Sequence, residues 1–261
     1  MEVWKAAVLG LVQGFTEFLP ISSSGHILLF ERILGTDTGG ADMFLGIVLH
    51  AGTLVAVLIA YAPQLVKIMR EQPKTIGLLI MATIPAGLVG LLFSEKIDGL
   101  FGQVNRLWIP FAATGGVLLL CRRRIRRGYA IAPIGCKSAL TQGIAQAFAV
   151  IPGLSRSGTT LAAGVFCGLD RREATDFSFL MSIPVIGGAI VVEIYKCIQN
   201  PIYVAAISWQ SLLVGTLCAA VFGTIGVHCM RKRIQGGSLL GFAIYLFCLA
   251  FAVLAANFLL A

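Results

Sequence analysis

The stretch QGFTEFLPISSSGH, residues 13–26, sets a carboxylate, three consecutive serines and a histidine between the apolar runs AAVLGLV (residues 6–12) and ILLF (residues 27–30). It is either a surface loop of a soluble domain or a polar break inside a membrane segment, and that choice decides the fold. Of the 261 residues, 57% are hydrophobic and 12% charged, and the mean hydropathy is +0.90. Soluble domains carry about 25% charged residues, so the chain reads as a polytopic membrane protein and the stretch as a break within lipid. No polar segment is long enough for a separate domain, so residues 1–261 form one membrane domain.

The net charge of +8 does not point to nucleic acid. Its arginines lie in short runs between apolar segments, CRRRIRR (residues 121–127) and MRKR (residues 230–233), which is the pattern of cytoplasmic loops. No soluble fold is available to present them to a nucleic-acid backbone. Seven cysteines without a C-x-x-C pair read as small buried hydrophobes. The N-terminal apolar run after Lys5 lacks a small-residue cleavage site and is not read as a signal peptide.

Spanning about 30 Å of hydrocarbon takes about 20 apolar residues. Six stretches qualify, at about 41–62, 75–94, 107–121, 175–197, 209–230 and 238–260, the third extending into its flanks. Two further apolar stretches, 3–34 and 138–169, are interrupted by Pro, Gly and Ser. Their halves are too short to span and suit re-entrant helical hairpins. If both hairpins return to the side they came from, one side collects Lys67, Arg70, Lys74, Arg122, Arg123, Arg124, Arg126, Arg127, Lys137, Arg171, Arg172, Arg231, Lys232 and Arg233. The other holds Lys5, Arg32, Lys96, Arg106 and Lys196. The split is 14 against 5, with Arg156 inside the second hairpin, which accounts for all 20. Because cytoplasmic loops are basic, both termini are expected outside.

The two interrupted stretches resemble each other. LVQGFTEFLPISSSGH from Leu11 and LTQGIAQAFAVIPGLSRSGT from Leu140 both run L-x-Q-G-x-x-[E/Q], then proline, then S-x-S-G. Gln13 and Gly14 match Gln142 and Gly143, Glu17 matches Gln146, and Ser22, Ser24 and Gly25 match Ser155, Ser157 and Gly158. The halves, about 1–121 and 138–261, therefore form an inverted-topology repeat, whose broken helices are expected to meet near the bilayer midplane. The expected fold is all-α integral membrane, with six transmembrane helices plus two re-entrant helical hairpins.

Each break has the chemistry of an anion site. Gln13 and Glu17, four apart, share a helix face. Pro20 ends that helix and the serines cap the next, so free N–H groups and the positive dipole end point into the turn. Pro152-Gly153 and Ser155 repeat the device, and Arg156 adds a permanent charge. Ionisable groups inside a membrane are read first as functional. The plainer alternative is a buried structural ion pair between Glu17 and Arg156, with the serines as caps only; two serine-rich breaks and a nearby histidine exceed what such a pair requires. His50 could line the cavity but reads first as a helix-packing residue, and Glu193 is expected to face water or Lys196 rather than a substrate.

These residues resemble the undecaprenyl-diphosphatase family, also known as bacitracin-resistance proteins. QGFTEFLPISSSGH matches its [E/Q]-x-x-x-E and P-x-S-S-S/T-G-H motifs, PGLSRSGTT (residues 152–160) its P-G-x-S-R-S-x-x-T motif, and FSFLMSIP (residues 177–184) its next segment. The resemblance implies hydrolysis of undecaprenyl diphosphate to undecaprenyl phosphate and inorganic phosphate. That reaction recycles the lipid carrier for cell-wall synthesis at the outer face of the bacterial cytoplasmic membrane, and it uses a divalent cation such as Mg²⁺ or Ca²⁺. Gln13 stands where many members have Glu, leaving Glu17 as the acidic ligand of the motif. The expected catalytic residues are Glu17, Ser23, His26 and Arg156. In that scheme His26 activates Ser23, the favoured nucleophile over His26 or water, and Glu17 orients His26 or binds metal. Gln13, Ser22, Ser24, Ser155, Ser157 and Thr160 are expected at the substrate's phosphate oxygens. The competing reading is a secondary transporter or flippase for a phosphorylated lipid. A third, the lipid phosphatases with K-x6-R-P and S-R-x5-H motifs, fails because the residue six after Arg156 is Ala162. Lipid chain length and oligomeric state stay open.

Overall fold

The structure, a computed structural model, describes residues 1–36, 42–101, 103–199, 207–236 and 238–259. Among these residues there is no β-strand, and the chain runs through twelve α-helices. The first seven are α1 (Val3–Phe18), α2 (Ser23–Leu34), α3 (Asp42–Ala60), α4 (Ala62–Glu71), α5 (Pro73–Leu92), α6 (Ser94–Phe101) and α7 (Trp108–Arg127). Then follow α8 (Cys136–Phe148), α9 (Arg156–Phe166), α10 (Arg171–Gln199), α11 (Trp209–Gly236) and α12 (Leu240–Leu259).

Five segments are long and apolar enough to cross a membrane: α5, α7 with its preceding turn from Val104, α10, α11 and α12. Helix α3, which bends by 69° into α4, makes a sixth if the pair is one span. All six expected stretches are therefore helical, and the third, read as 107–121, extends to 104–127. The expected end points 41 and 260 lie outside the described residues. On α5, Ile80, Ile84, Leu88 and Leu91 are exposed. Their spacing of three and four puts them on one helix face, which suits contact with lipid rather than water.

The four helices of the two interrupted stretches are short. At 1.5 Å per residue, the 16 residues of α1 reach about 24 Å and the 12 of α2 about 18 Å. The 13 of α8 and 11 of α9 reach less than 20 Å each by the same rise. In both stretches the two ends lie close together. Lys5 Nζ, before the first break, donates to the carbonyl of Gly35 after it (3.3 Å). Around the second, Tyr129 Oη donates to Leu169 O (2.9 Å), Ala132 N to Gly168 O (2.9 Å) and Ile134 N to Glu173 Oε1 (3.3 Å).

The first helix of each interrupted stretch packs mainly against a span of the other half. Helix α1 lies mainly on α11, and α8 on α5. The contact is close because of the glycine in each Q-G pair. A Cβ on Gly14 would stand 2.7 Å from Gly223 N and 2.8 Å from Ala219 O, and one on Gly143 would stand 2.9 Å from Ala82 Cα. Small residues let helix backbones approach where lipid supplies no hydrophobic drive. Gly14→Ala and Gly143→Ala should each lower stability by roughly 1–3 kcal/mol in thermal unfolding of the detergent-solubilised protein. Gly187→Ala, where a Cβ meets nothing within 4 Å, should leave the melting temperature nearly unchanged.

Candidate active site

Both breaks are built the same way from local sequence. Pro20 disfavours helical backbone in the residue before it, so α1 stops at Phe18 and Leu19 is extended (φ −78°, ψ 148°). Ser22 then takes φ 71°, a left-handed conformation that is uncommon for a non-glycine residue. It caps α2, its Oγ accepting from Gly25 N (3.3 Å). In the second break Gly153 supplies the positive φ of 86°, and Ser155 caps α9 through Gly158 N (3.1 Å).

The breaks are stitched together across the repeat by equivalent serines. Ser24 Oγ accepts from Gly153 N (3.2 Å), and Ser157 Oγ donates to Leu19 O (2.8 Å). Ser155 N donates to Thr114 Oγ1 on α7 (3.1 Å), tying the second break to a span.

Glu17, at the end of α1, is the hub of the resulting site. Its Oε1 is paired with Arg156 Nη2 from the other break. Its Oε2 accepts from Ser23 Oγ at 2.5 Å and from Gln13 Nε2 at 3.0 Å. His50 Nε2 on α3 approaches Oε2 to 3.4 Å, with its Nδ1 directed to the carbonyl of Gly46 (2.7 Å). A carbonyl can only accept, so Nδ1 carries the proton there. The Nη1 of Arg156 is buried without a hydrogen-bond partner.

A cavity of about 180 Å³ opens on this hub. Glu17, Ser22, Ser23, Ser24, Ser155, Arg156, His50 and Gln146 line its polar part, and Ile47, Val185, Ile186 and Ala189 are among its apolar wall. The structural ion pair considered from sequence does form, but it also holds a serine hydroxyl at the edge of a polar cavity, which a purely structural pair has no need to do.

Not every residue expected at the site lines this cavity. His26 Nδ1 donates to Ser22 O (2.6 Å), and its Nε2 meets Tyr245 Oη on α12 (2.7 Å), with the two rings stacked at 5.7 Å. The hydrogen bond to Ser23 expected from His26 is made by Glu17 instead, because the Nδ1 contact to its own helix cap turns the imidazole away. Thr160 points its hydroxyl to Arg156 O (2.7 Å) and Ser178 Oγ (2.6 Å), Ser157 is spent on Leu19, and Gln13 sits behind Glu17. His50, expected to be a packing residue, belongs to the site. The signal for it was an ionisable side chain inside a membrane span. Tyr245 carried no local signal at all. Glu193 meets Lys196 at 3.7 Å, as expected.

Among the described residues no group of three or more His, Cys, Asp or Glu is placed to hold a metal ion. In this cavity Glu17 offers a carboxylate beside hydroxyls, a donor set that fits a hard cation arriving on phosphate oxygens, as Mg²⁺ commonly does.

The family profile described as "Bacitracin resistance protein BacA" matches residues 6–252. The chain is 36% identical over 248 residues to the undecaprenyl-diphosphatase of Halothermothrix orenii, covering 94% of each chain. It is 38% identical over 259 residues to an undecaprenyl-diphosphatase 4 of Bacillus cereus, covering 99% of this chain and 98% of the relative. It is 35% identical over 270 residues to the undecaprenyl-diphosphatase of Methanobrevibacter smithii, covering 94% of each.

Removing one partner of a buried ion pair strands the other and costs about 3–5 kcal/mol. Glu17→Gln and Arg156→Gln should each destabilise by about that amount in equilibrium unfolding, and the double variant by less than the sum.

Proposed function

Because the chain belongs to the bacitracin resistance protein family, we infer that it hydrolyses a polyprenyl diphosphate, undecaprenyl diphosphate in the cell, to the lipid monophosphate and inorganic phosphate. The observation that carries this reading is the 2.5 Å bond from Ser23 Oγ to the Glu17 carboxylate, made beside an arginine with an unpaired donor. A hydroxyl held by a base, next to a positive charge in a water-poor cavity, is the equipment for attack on a phosphoryl group. The names of the relatives favour hydrolysis over transport of the same lipid.

Ser23 Oγ attacks the terminal phosphorus while Glu17 takes its proton. The bond from that phosphorus to the bridging oxygen breaks, and the lipid leaves as its monophosphate. Water then cleaves the phosphoserine, returning Ser23 and releasing inorganic phosphate. Arg156 Nη1, together with the N–H groups at the starts of α2 and α9, stabilises the charge that builds on the phosphoryl oxygens. Gln13 and His50 steady the carboxylate. Ser22, Ser24 and Ser155 line the phosphate-binding wall. Thr160 and Ser157 shape the second break through their contacts with Ser178 and Leu19, and His26 acts on position, holding the strained Ser22 cap by its carbonyl. A divalent cation, Mg²⁺ or Ca²⁺, would be held by Glu17 and the substrate's own oxygens, and when bound it would offset the diphosphate charge.

The multi-pass helices place the reaction in a membrane. The meeting of Lys5 with Gly35, and of Tyr129 with Leu169, supports two re-entrant hairpins, and three spans between them would bring them in from opposite sides. The 14 to 5 division of Lys and Arg supports both termini outside, with the site opening to the outer face of the cytoplasmic membrane. The apolar wall from α3 and α10 suits the isoprenoid chain, which enters sideways from lipid.

Purified protein in detergent with Mg²⁺, and no membrane gradient, should release phosphate from farnesyl diphosphate. Ser23→Ala and Glu17→Gln should each lower kcat by roughly 10²–10⁴-fold, and His26→Phe by clearly less. Near-normal release by Ser23→Ala would remove the serine from the reaction. A loss in His26→Phe equal to that in Ser23→Ala, at unchanged melting temperature, would return the histidine to the chemistry.

A further inference from the structure

The two halves of the repeat use their equivalent polar pairs differently. In the first, Gln13 donates to Glu17, and Glu17 holds Ser23 and Arg156. In the second, the equivalents are Gln142 and Gln146. Gln142, with its amide nitrogen facing acceptors, donates to Thr160 O (3.2 Å) and Ala174 O (3.3 Å), so it makes no bond to Gln146.

Gln146 is 1% exposed, and among the described residues neither its Oε1 nor its Nε2 has a hydrogen-bond partner. Buried polar groups are nearly always paired, and a pair of unmet groups on one side chain calls for an explanation. Gln146 lines the same cavity as Glu17, Ser23 and Arg156, and Arg156 Nη1 is also buried and unpartnered. Two sets of unused donors from the second half therefore border one cavity.

We propose that Gln146 is a substrate-binding residue, its amide N–H donating to a diphosphate oxygen alongside Arg156 Nη1. This rests on the diphosphate reading of the cavity. On that assignment the halves divide the work: the first supplies nucleophile and base, and the second supplies donors alone. The amide matters chemically because it gives a donor without charge. A carboxylate there would add a second negative charge to a cavity that already holds Glu17. It would repel the diphosphate and compete for Arg156. The bond is made to bound substrate and kept through the transition state, so its loss falls on KM more than on kcat.

The test compares wild type, Gln146→Met and Gln146→Glu in steady-state phosphate release from farnesyl diphosphate. Binding of its non-hydrolysable methylenebisphosphonate analogue is the second readout and is scored on folded protein. Gln146→Met keeps the side-chain length without the donor. It should raise KM and the analogue Kd about tenfold or more, the loss expected for a hydrogen bond to a charged group, with kcat within about threefold. Gln146→Glu should raise both constants further. KM and Kd within about twofold of wild type in both variants, including the case where only melting temperature or kcat falls, would overturn the assignment and leave the hydrolase reading standing. A wild type that releases phosphate from no polyprenyl diphosphate would overturn the hydrolase reading, and this assignment with it.

Discussion

Glu17 and Arg156 form an ion pair between residues 139 positions apart, each at a broken helix and each expensive to bury alone. A carboxylate or guanidinium in a low-dielectric interior must be matched or it destabilises the fold. Here each charge is supplied by the opposite half of the repeat, so neither break can be satisfied until both are in place. The cross-bonds of Ser24 to Gly153 and Ser157 to Leu19 serve the same end with neutral groups. The pair thus locks the hairpins together and sets a base beside a hydroxyl.

The packing that brings the breaks together is as reciprocal as the charges. Helix α1 presses on α11 and α8 on α5, the first helix of each break leaning on a span of the other half. Gly14 and Gly143 sit at these contacts, in equivalent positions of the repeat. Their lack of a Cβ sets how closely each of these helices approaches its span, and so where Glu17 and Gln146 stand. A motif glycine several residues from the chemistry thereby controls its geometry.

The symmetry is broken where function needs it. Glu17 and Gln146 are equivalent in sequence, yet among the described residues one side chain is bonded to three neighbours with His50 close by and the other is bonded to none. Arg156 stands only in the second break, and the positive φ is carried by Ser22 in one and Gly153 in the other. The result is a cavity with a carboxylate and a hydroxyl on one side and a guanidinium on the other, which a perfectly symmetric repeat would not provide.

Much of this was legible in the chain. Low charge and long apolar runs require a membrane solvent, because no soluble core could absorb them. Pro20, Pro152 and the serines after them require breaks, since proline stops a helix and serine caps the next. The repeat was visible because the same local physics was written twice. The side-chain partners were not legible. A Ser-x-x-His spacing reads equally well as a catalytic pair or as a helix cap, and only the approach of Tyr245, 219 residues on, shows that His26 faces away from Ser23. His50 looked like a packing residue until α3 was placed against α1. Local backbone rules act over a few residues and can be read from them. Which hydroxyl meets which carboxylate depends on rotations and distances between helices far apart in the chain, and that only the tertiary structure decided.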